Sequence, residues 1–231
     1  MKAAYPLYYV LLVFCDILGA AQNSSGHDHF LLVQTWPNGY CSIVNCQNTP
    51  KHFVLHGLWP VDRNGTSLHN YTTPSIKMID ILNRDASLKS NMTEYWPSLV
   101  SKISHGFWSR QWQKHGSAQK LITLPEDYFR SAIRLMKITN LQNKLAANGR
   151  VPNGTSYSKD HYKKALEVIN GGESVMLACF TINRIQLLRD VYICLDGQLR
   201  NFISCNENEF NKTENCRDKI MFPSEVQTET V

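Results

Sequence analysis

Two histidine-bearing stretches carry the chemistry of this sequence: HGLWP at 56–60 and FWSRQWQKHGSA at 107–118. Histidine titrates near neutrality and is the commonest acid–base side chain. Two histidines far apart in sequence are what paired acid–base chemistry on a phosphodiester requires. One takes the proton of the attacking hydroxyl, the other protonates the departing oxygen, and a cation stabilises the phosphoryl oxygens between them. Lys114, next to His115, supplies such a cation. If 107–118 is helical, Trp108, Gln111 and His115 share one face. If 51–59 is a regular strand, His56 shares a face with Val54 and Leu58, while Leu55 and Trp59 point the other way. A single histidine on such a face is more commonly a hydrogen-bonded core residue than a catalyst. Spacing alone leaves both readings open.

The elements that must position these residues follow from periodicity. HFLLVQTW (29–36) and KHFVLHGLW (51–59) are short, apolar and bounded by Pro or Asn, as buried strands are. The stretch 61–74 is polar and reads as a surface loop. Helical spacing runs through 75–89. The segment 125–147 opens on Pro125 and two acids and closes before Gly149, and 156–170 has Ser158 as a cap and Gly171–Gly172 as a stop. The tail returns to strand-like runs in SVMLACFTI, RDVYICLD and LRNFISC. Strands at both ends with helices between predict an α+β fold, a mostly antiparallel sheet packed against several helices. No repeat or linker divides the chain, so 22–231 reads as one domain.

Residues 3–21 form an apolar block after Lys2 and end in small residues, the pattern of a secretory signal peptide cleaved after Ala20 or Ala21. Asp16 within the block argues against a membrane anchor. Removal takes Cys15 away and leaves Cys41, Cys46, Cys179, Cys194, Cys205 and Cys216, an even number that suits disulfides in an extracellular protein. Zinc ligation is disfavoured because no CxxC pair is present. Asn23, Asn64, Asn70, Asn91, Asn153 and Asn211 begin glycosylation sequons, which marks their segments as surface. The net charge of +5 and pI of about 8.8 favour an anionic partner, but no Lys/Arg run singles out nucleic acid.

Taken together, HGLWP and FW..QW.KHG resemble the two active-site blocks of the ribonuclease T2 family. FLLVQTW ahead of Cys41 and Cys46, YWPSL at 95–99 and the cysteine-bearing tail extend the likeness over essentially the whole mature chain. The basic pI and LLRDVYICLD most resemble plant pistil ribonucleases of gametophytic self-incompatibility. The resemblance implies cofactor- and metal-free cleavage of single-stranded RNA through a 2′,3′-cyclic phosphate. It assigns His56 as donor to the leaving group, His115 as acceptor from the 2′-hydroxyl and Lys114 as the phosphoryl-stabilising cation. Pro97, Ser98, Val100 and Phe107 fall where the family holds the leaving-side base, and Trp59 falls among the substrate-binding positions. Thr35 occupies the place of a base-contacting Gln, with Gln34 before it.

Departures from the family pattern are specific. Gln111 replaces the usual Glu; it can donate a hydrogen bond but cannot exchange a proton at neutral pH, which implies attenuated turnover. Arg110 stands where some members carry a third histidine and offers a guanidinium to phosphate. The family's cysteine just after KHG and its partner downstream of HGLWP are both absent. By analogy with the family, the remaining pairs are Cys41–Cys46, Cys179–Cys216 and Cys194–Cys205. A pistil role implies a monomer whose partners are pollen F-box proteins, with 61–74 and the following helix as the specificity surface. The competing reading is a catalytically impaired storage, defence or binding glycoprotein.

Overall fold

A computed structural model describes residues 26–167, 172–206 and 216–228. The amino-terminal apolar block with Cys15, and the sequons at Asn23 and Asn211, lie outside these residues. In chain order the elements are β1 (His29–Thr35), α1 (Pro37–Tyr40), β2 (Val54–Val61), α2 (Met78–Arg84), α3 (Ala86–Tyr95) and α4 (His105–Lys114). A 3-10 turn (Gly116–Ala118) follows, then α5 (Pro125–Thr139), α6 (Leu141–Ala147), β3 (Ser156–Ser158), α7 (Lys159–Glu167), β4 (Met176–Ile182), β5 (Ile185–Asp196), β6 (Phe202–Ile203) and β7 (Lys219–Met221).

β1 is buried at every position because it is flanked on both sides, antiparallel to β2 and to β5. β5 is the longest strand and also pairs with β4, β6 and β7. Only the contact with β7 is parallel, so the sheet among the described residues is the mostly antiparallel one expected. The turn between β4 and β5 consists of Asn183 and Arg184, both with positive φ, the twist a two-residue hairpin demands. β3 and β7 pair at the far edge. Neither is visible as a strand in the sequence, since each is three residues long.

The helices cover the sheet. α5 buries Tyr128, Phe129, Ala132, Ile133, Leu135 and Met136, and the Tyr128 hydroxyl donates to the Leu58 carbonyl at 2.9 Å. Each fully buried aromatic of this kind contributes about 1.5–3 kcal/mol relative to exposure. Helix boundaries depart from simple periodicity where a polar residue breaks the backbone. Asp85 separates α2 from α3 and caps the latter by accepting from the Leu88 amide. Asn140 ends α5 in the left-handed conformation, φ 42°, which asparagine tolerates better than most residues, so the stretch 125–147 becomes two helices. The segment from 156 begins as β3 before Ser158 Oγ accepts from the His161 amide at the start of α7.

Three disulfides join Cys41 to Cys46, Cys179 to Cys216 and Cys194 to Cys205. Hydrogen bonds hold the loop after β2 to the end of α4. The Asn70 amide donates to the Lys114 carbonyl at 2.9 Å, Asn70 Nδ2 donates to the Ser117 carbonyl at 3.3 Å, and Gln113 Nε2 donates to the Thr73 carbonyl at 2.6 Å. Asn64 and Asn153 are exposed sequons, whereas Asn70 and Asn91 are half-buried and donate their side-chain Nδ2 in hydrogen bonds. In glycan-free protein, Asn70→Ala is expected to lower the unfolding free energy by about 1–3 kcal/mol. Asn64→Ala should change it by less than about 0.5 kcal/mol. Denaturant midpoints of the two variants check this, and equal values would show that the clasp contributes nothing.

Candidate active site

β2 is not a regular strand at the point that matters. Val33 pairs with Gly57 and Gln34 with Leu55, so His56 is the extra residue of a β-bulge. A bulge interrupts the alternation of faces and re-aims one side chain. The expected face assignment therefore fails: Leu55 and Leu58 both enter the main core, and His56 and Trp59 lie together with ring centroids 5.1 Å apart. The register of Gln34 and Thr35 is equally specific. Gln34 Nε2 donates to Thr139 Oγ1 at the end of α5, while Thr35 Oγ1 donates to Asp190 at 2.5 Å.

α4 is anchored by tryptophan. Trp108 and Trp112 are its buried residues. The Trp108 indole donates to the Trp96 carbonyl at 2.6 Å, and the Trp96 indole donates to the carbonyl of His56 at 3.3 Å. The helix ends at His115, whose amide bonds to the Gln111 carbonyl. Two glycines make the close approach possible. A Cβ on Gly57 would lie 2.1 Å from Trp59 Nε1 and 2.7 Å from Gln111 Oε1, and one on Gly116 would lie 2.4 Å from the Trp112 ring. The glycines of HGLWP and KHG are thus places where a side chain from the opposing motif or turn must pass.

The result is one cluster. The Trp59 ring lies between the histidines, 5.1 Å from His56 and stacked 5.2 Å from His115. Four buried side-chain polar atoms with no hydrogen bond among the described residues belong here: His56 Nδ1, Trp59 Nε1, Gln111 Oε1 and His115 Nδ1. Buried polar groups are nearly always paired, so such a concentration marks groups held for something other than the fold.

The two histidines differ electrostatically. His115 is 3% exposed, and burial, with Lys114, His69 and His56 nearby, pushes its pKa down to about 2, against a weaker pull upward from a backbone hydrogen bond to Leu68. It is neutral at physiological pH, the form that accepts a proton. His56 instead faces a carboxylate: its Nδ1 lies 3.7 Å from Oδ1 of Asp190, which is fully buried. Burial alone would raise the Asp190 pKa. The contacts with His56, then Arg189, then Thr35 outweigh it and hold the group below the ordinary carboxylate value.

The remaining sequence-derived positions divide. Thr35, His56, Ser98, Val100 and Phe107 line one cavity of about 140 Å³ with Tyr40, Val54, Leu55 and Leu99. Pro97 is buried beside it in sequence but does not line it. Arg110 is exposed and lines a different groove, with Lys77, Met78 and His105 between α2 and α4. Neither His56 nor His115 lines the larger cavities near α3 and α5, so the polar cluster rather than cavity size locates the site. Two residues escaped sequence reasoning. His69, exposed in the loop after β2, packs its ring 5.1 Å from His115, and burial followed by Lys114 lowers its pKa. Asp190 carries a readable signal, a charged residue inside the apolar run LLRDVYICLD.

The depressed pKa of His115 links folding to pH. The unfolded chain takes up a proton at this residue below its ordinary value of 6.5, and the folded chain does not until about 2. The stability contributed by neutral His115 is therefore complete above about pH 6.5 and is lost as pH falls. The loss is at most about 1.4 kcal/mol per pH unit. In His115→Asn the fall in unfolding free energy between pH 6.5 and 4 should be shallower. Parallel slopes for the two proteins would contradict this burial.

Comparison with known proteins agrees with this geometry. The family model described as "Ribonuclease T2 family" matches residues 27–205. Ribonuclease S-2 of Nicotiana alata is 31% identical over 85% of this chain and 89% of its own length. Intracellular ribonuclease LX of Solanum lycopersicum is 32% identical over 97% of this chain and 95% of its own. The crystal structure of RNase NT in complex with 5′-AMP aligns with a TM-score of 0.74 at 32% identity, covering 85% of this chain and 98% of that one. The family match covers β1 to β6, both histidine motifs and the cysteines up to Cys205, and the chain belongs to the ribonuclease T2 family of enzymes.

Proposed function

We propose that the chain is a secreted endoribonuclease that cleaves single-stranded RNA by internal transesterification. Neutral His115 takes the proton of the ribose 2′-hydroxyl, the 2′-oxygen bonds to phosphorus, and the bond from phosphorus to the 5′-oxygen breaks. Protonated His56 gives its proton to that 5′-oxygen, leaving a 2′,3′-cyclic phosphate and a free 5′-hydroxyl. Lys114 and the Gln111 amide stabilise the charge on the phosphoryl oxygens. The cavity containing Ser98, Val100 and Phe107 takes the leaving-side base, with Phe107 as the stacking face.

One observation carries this reading: a single indole, Trp59, packs against both histidines at 5.1 and 5.2 Å. The electrostatic asymmetry supports the division of roles. Burial keeps His115 in the accepting form, and the phosphodiester's negative charge raises its basicity when RNA binds. Secretion is supported by the apolar amino terminus and the disulfides. The similarity to ribonuclease S-2 of Nicotiana alata, with the basic pI and the LLRDVYICLD tail, supports a pistil role as a monomeric glycoprotein with pollen F-box proteins as partners.

A second reading, an impaired ribonuclease-like storage, defence or binding protein, is favoured by one residue. Gln111 stands beside His115 where a carboxylate would exchange the proton, and its Oε1 is buried without a partner. RNA cleavage by the purified mature chain separates the two. His56→Ala and His115→Ala should each reduce the rate by about 10²–10⁴-fold. Gln111→Glu should raise it. Wild-type activity no greater than that of the alanine variants would sink the enzymatic reading.

A further inference from the structure

The proposed donor histidine has a buried partner that the histidine motifs do not reveal. Asp190 belongs to β5, Thr35 to β1 and His56 to β2, three neighbouring strands in the order β5-β1-β2. Thr35 pairs directly with Asp190 in the β1–β5 ladder. A second β-bulge sits here: Ala178 pairs with Asp190 and Cys179 with Leu188, which makes Arg189 the extra residue. The Arg189 carbonyl accepts from the Trp36 amide at 2.7 Å, continuing the β1–β5 ladder, while the Arg189 Nε donates to Asp190 Oδ2 at 2.7 Å. Oδ1 receives the Thr35 hydroxyl and faces His56 Nδ1.

Two bulges, one at each end of this contact, serve the pairing of His56 with a carboxylate that is 0% exposed. An isolated buried carboxylate is strongly unfavourable, so the site retains it only with its partners in place. His56 Nδ1 is itself buried and makes no other hydrogen bond, although about a third of the side chain is accessible. The nitrogen that remains for the substrate is therefore Nε2. At 3.7 Å the contact is an ion contact, longer than a hydrogen bond.

We propose that Asp190 is a positioning residue for the donor: it fixes the His56 ring with Nε2 toward the leaving oxygen and holds the proton there until the oxygen departs. This rests on the ribonuclease reading for its kinetics but not for its geometry. Thr35 then acts inward, orienting the carboxylate, as well as lining the cavity. The charged and titratable groups around the pair are Asp190, Arg189 and Tyr192 from β5, His115 and Lys114 from the end of α4, and His69 from the loop after β2. Of these only Asp190 carries negative charge at neutral pH.

The test uses the full mature chain and two substrates. Asp190→Asn should lower the midpoint of the His56 imidazole titration, followed by NMR, by about one pH unit. RNA cleavage should fall roughly tenfold, with the alkaline limb of kcat/KM moving to lower pH. Cleavage of a nucleoside 3′-(4-nitrophenyl phosphate) should be unaffected, because nitrophenolate departs without a proton. Thr35→Val, which keeps the charge and the volume, should show the same substrate-selective loss to a smaller degree, and it serves if Asp190→Asn does not fold. An unchanged His56 titration, or equal losses on both substrates, overturns the proposal. Absence of RNA cleavage by the wild type would instead refute the ribonuclease reading, and the titration would still decide the contact.

Discussion

The site depends on a pair of indole hydrogen bonds. Trp108 of α4 holds the carbonyl of Trp96, and Trp96 holds the carbonyl of His56. These bonds tie the helix bearing His115 to the strand bearing His56 through a residue that belongs to neither. Each is worth about 0.5–1.5 kcal/mol net, so their contribution to stability is modest. Their contribution to geometry is larger, because they fix the approach of α4 over Gly57, where Trp59 and Gln111 leave no room for a Cβ. Removing either indole donor loosens a direct link between the two histidine segments, separate from the Asn70 and Gln113 bonds that hold the loop after β2 to the end of α4.

Around that frame the two histidines are placed in opposite environments. His115 is enclosed by Trp59, His69 and the helix end, and burial outweighs the single backbone contact that favours its charged form. His56 keeps partial access and lies over a buried carboxylate. Groups of one chemical type placed in different surroundings are the usual basis for dividing acid and base roles at one pH. Gln111, an amide that cannot exchange a proton at neutral pH, leaves this contrast between the histidines intact.

The fold class, the principal strands and the two histidine motifs were legible because each rests on local pattern: apolar runs, helix-start chemistry and contiguous motif residues. What was not legible depends on pairing between distant strands. A bulge at His56 is one residue of extra length relative to β1, which no property of VLHGLWPV announces, and it reversed the expected facing of Leu58 and Trp59. β3 exists only through its pairing with β7 across more than sixty residues, and β7 through that pairing and its contact with β5. The Asn140 break was hidden because asparagine is as common inside a polar helix face as at a left-handed cap. Asp190 was visible as a charge in an apolar strand, but its meaning required knowing that β1 would bring Thr35 beside it and His56 beyond it.

The central claim is that two histidines on one indole perform an internal transesterification. Its most direct measurement is phosphorus NMR of a dinucleoside phosphate incubated with the purified mature chain. The account predicts a transient 2′,3′-cyclic phosphate resonance that precedes any phosphomonoester and is absent with His115→Ala. Direct appearance of phosphomonoester with no cyclic species, or an unchanged time course in His115→Ala, would contradict it.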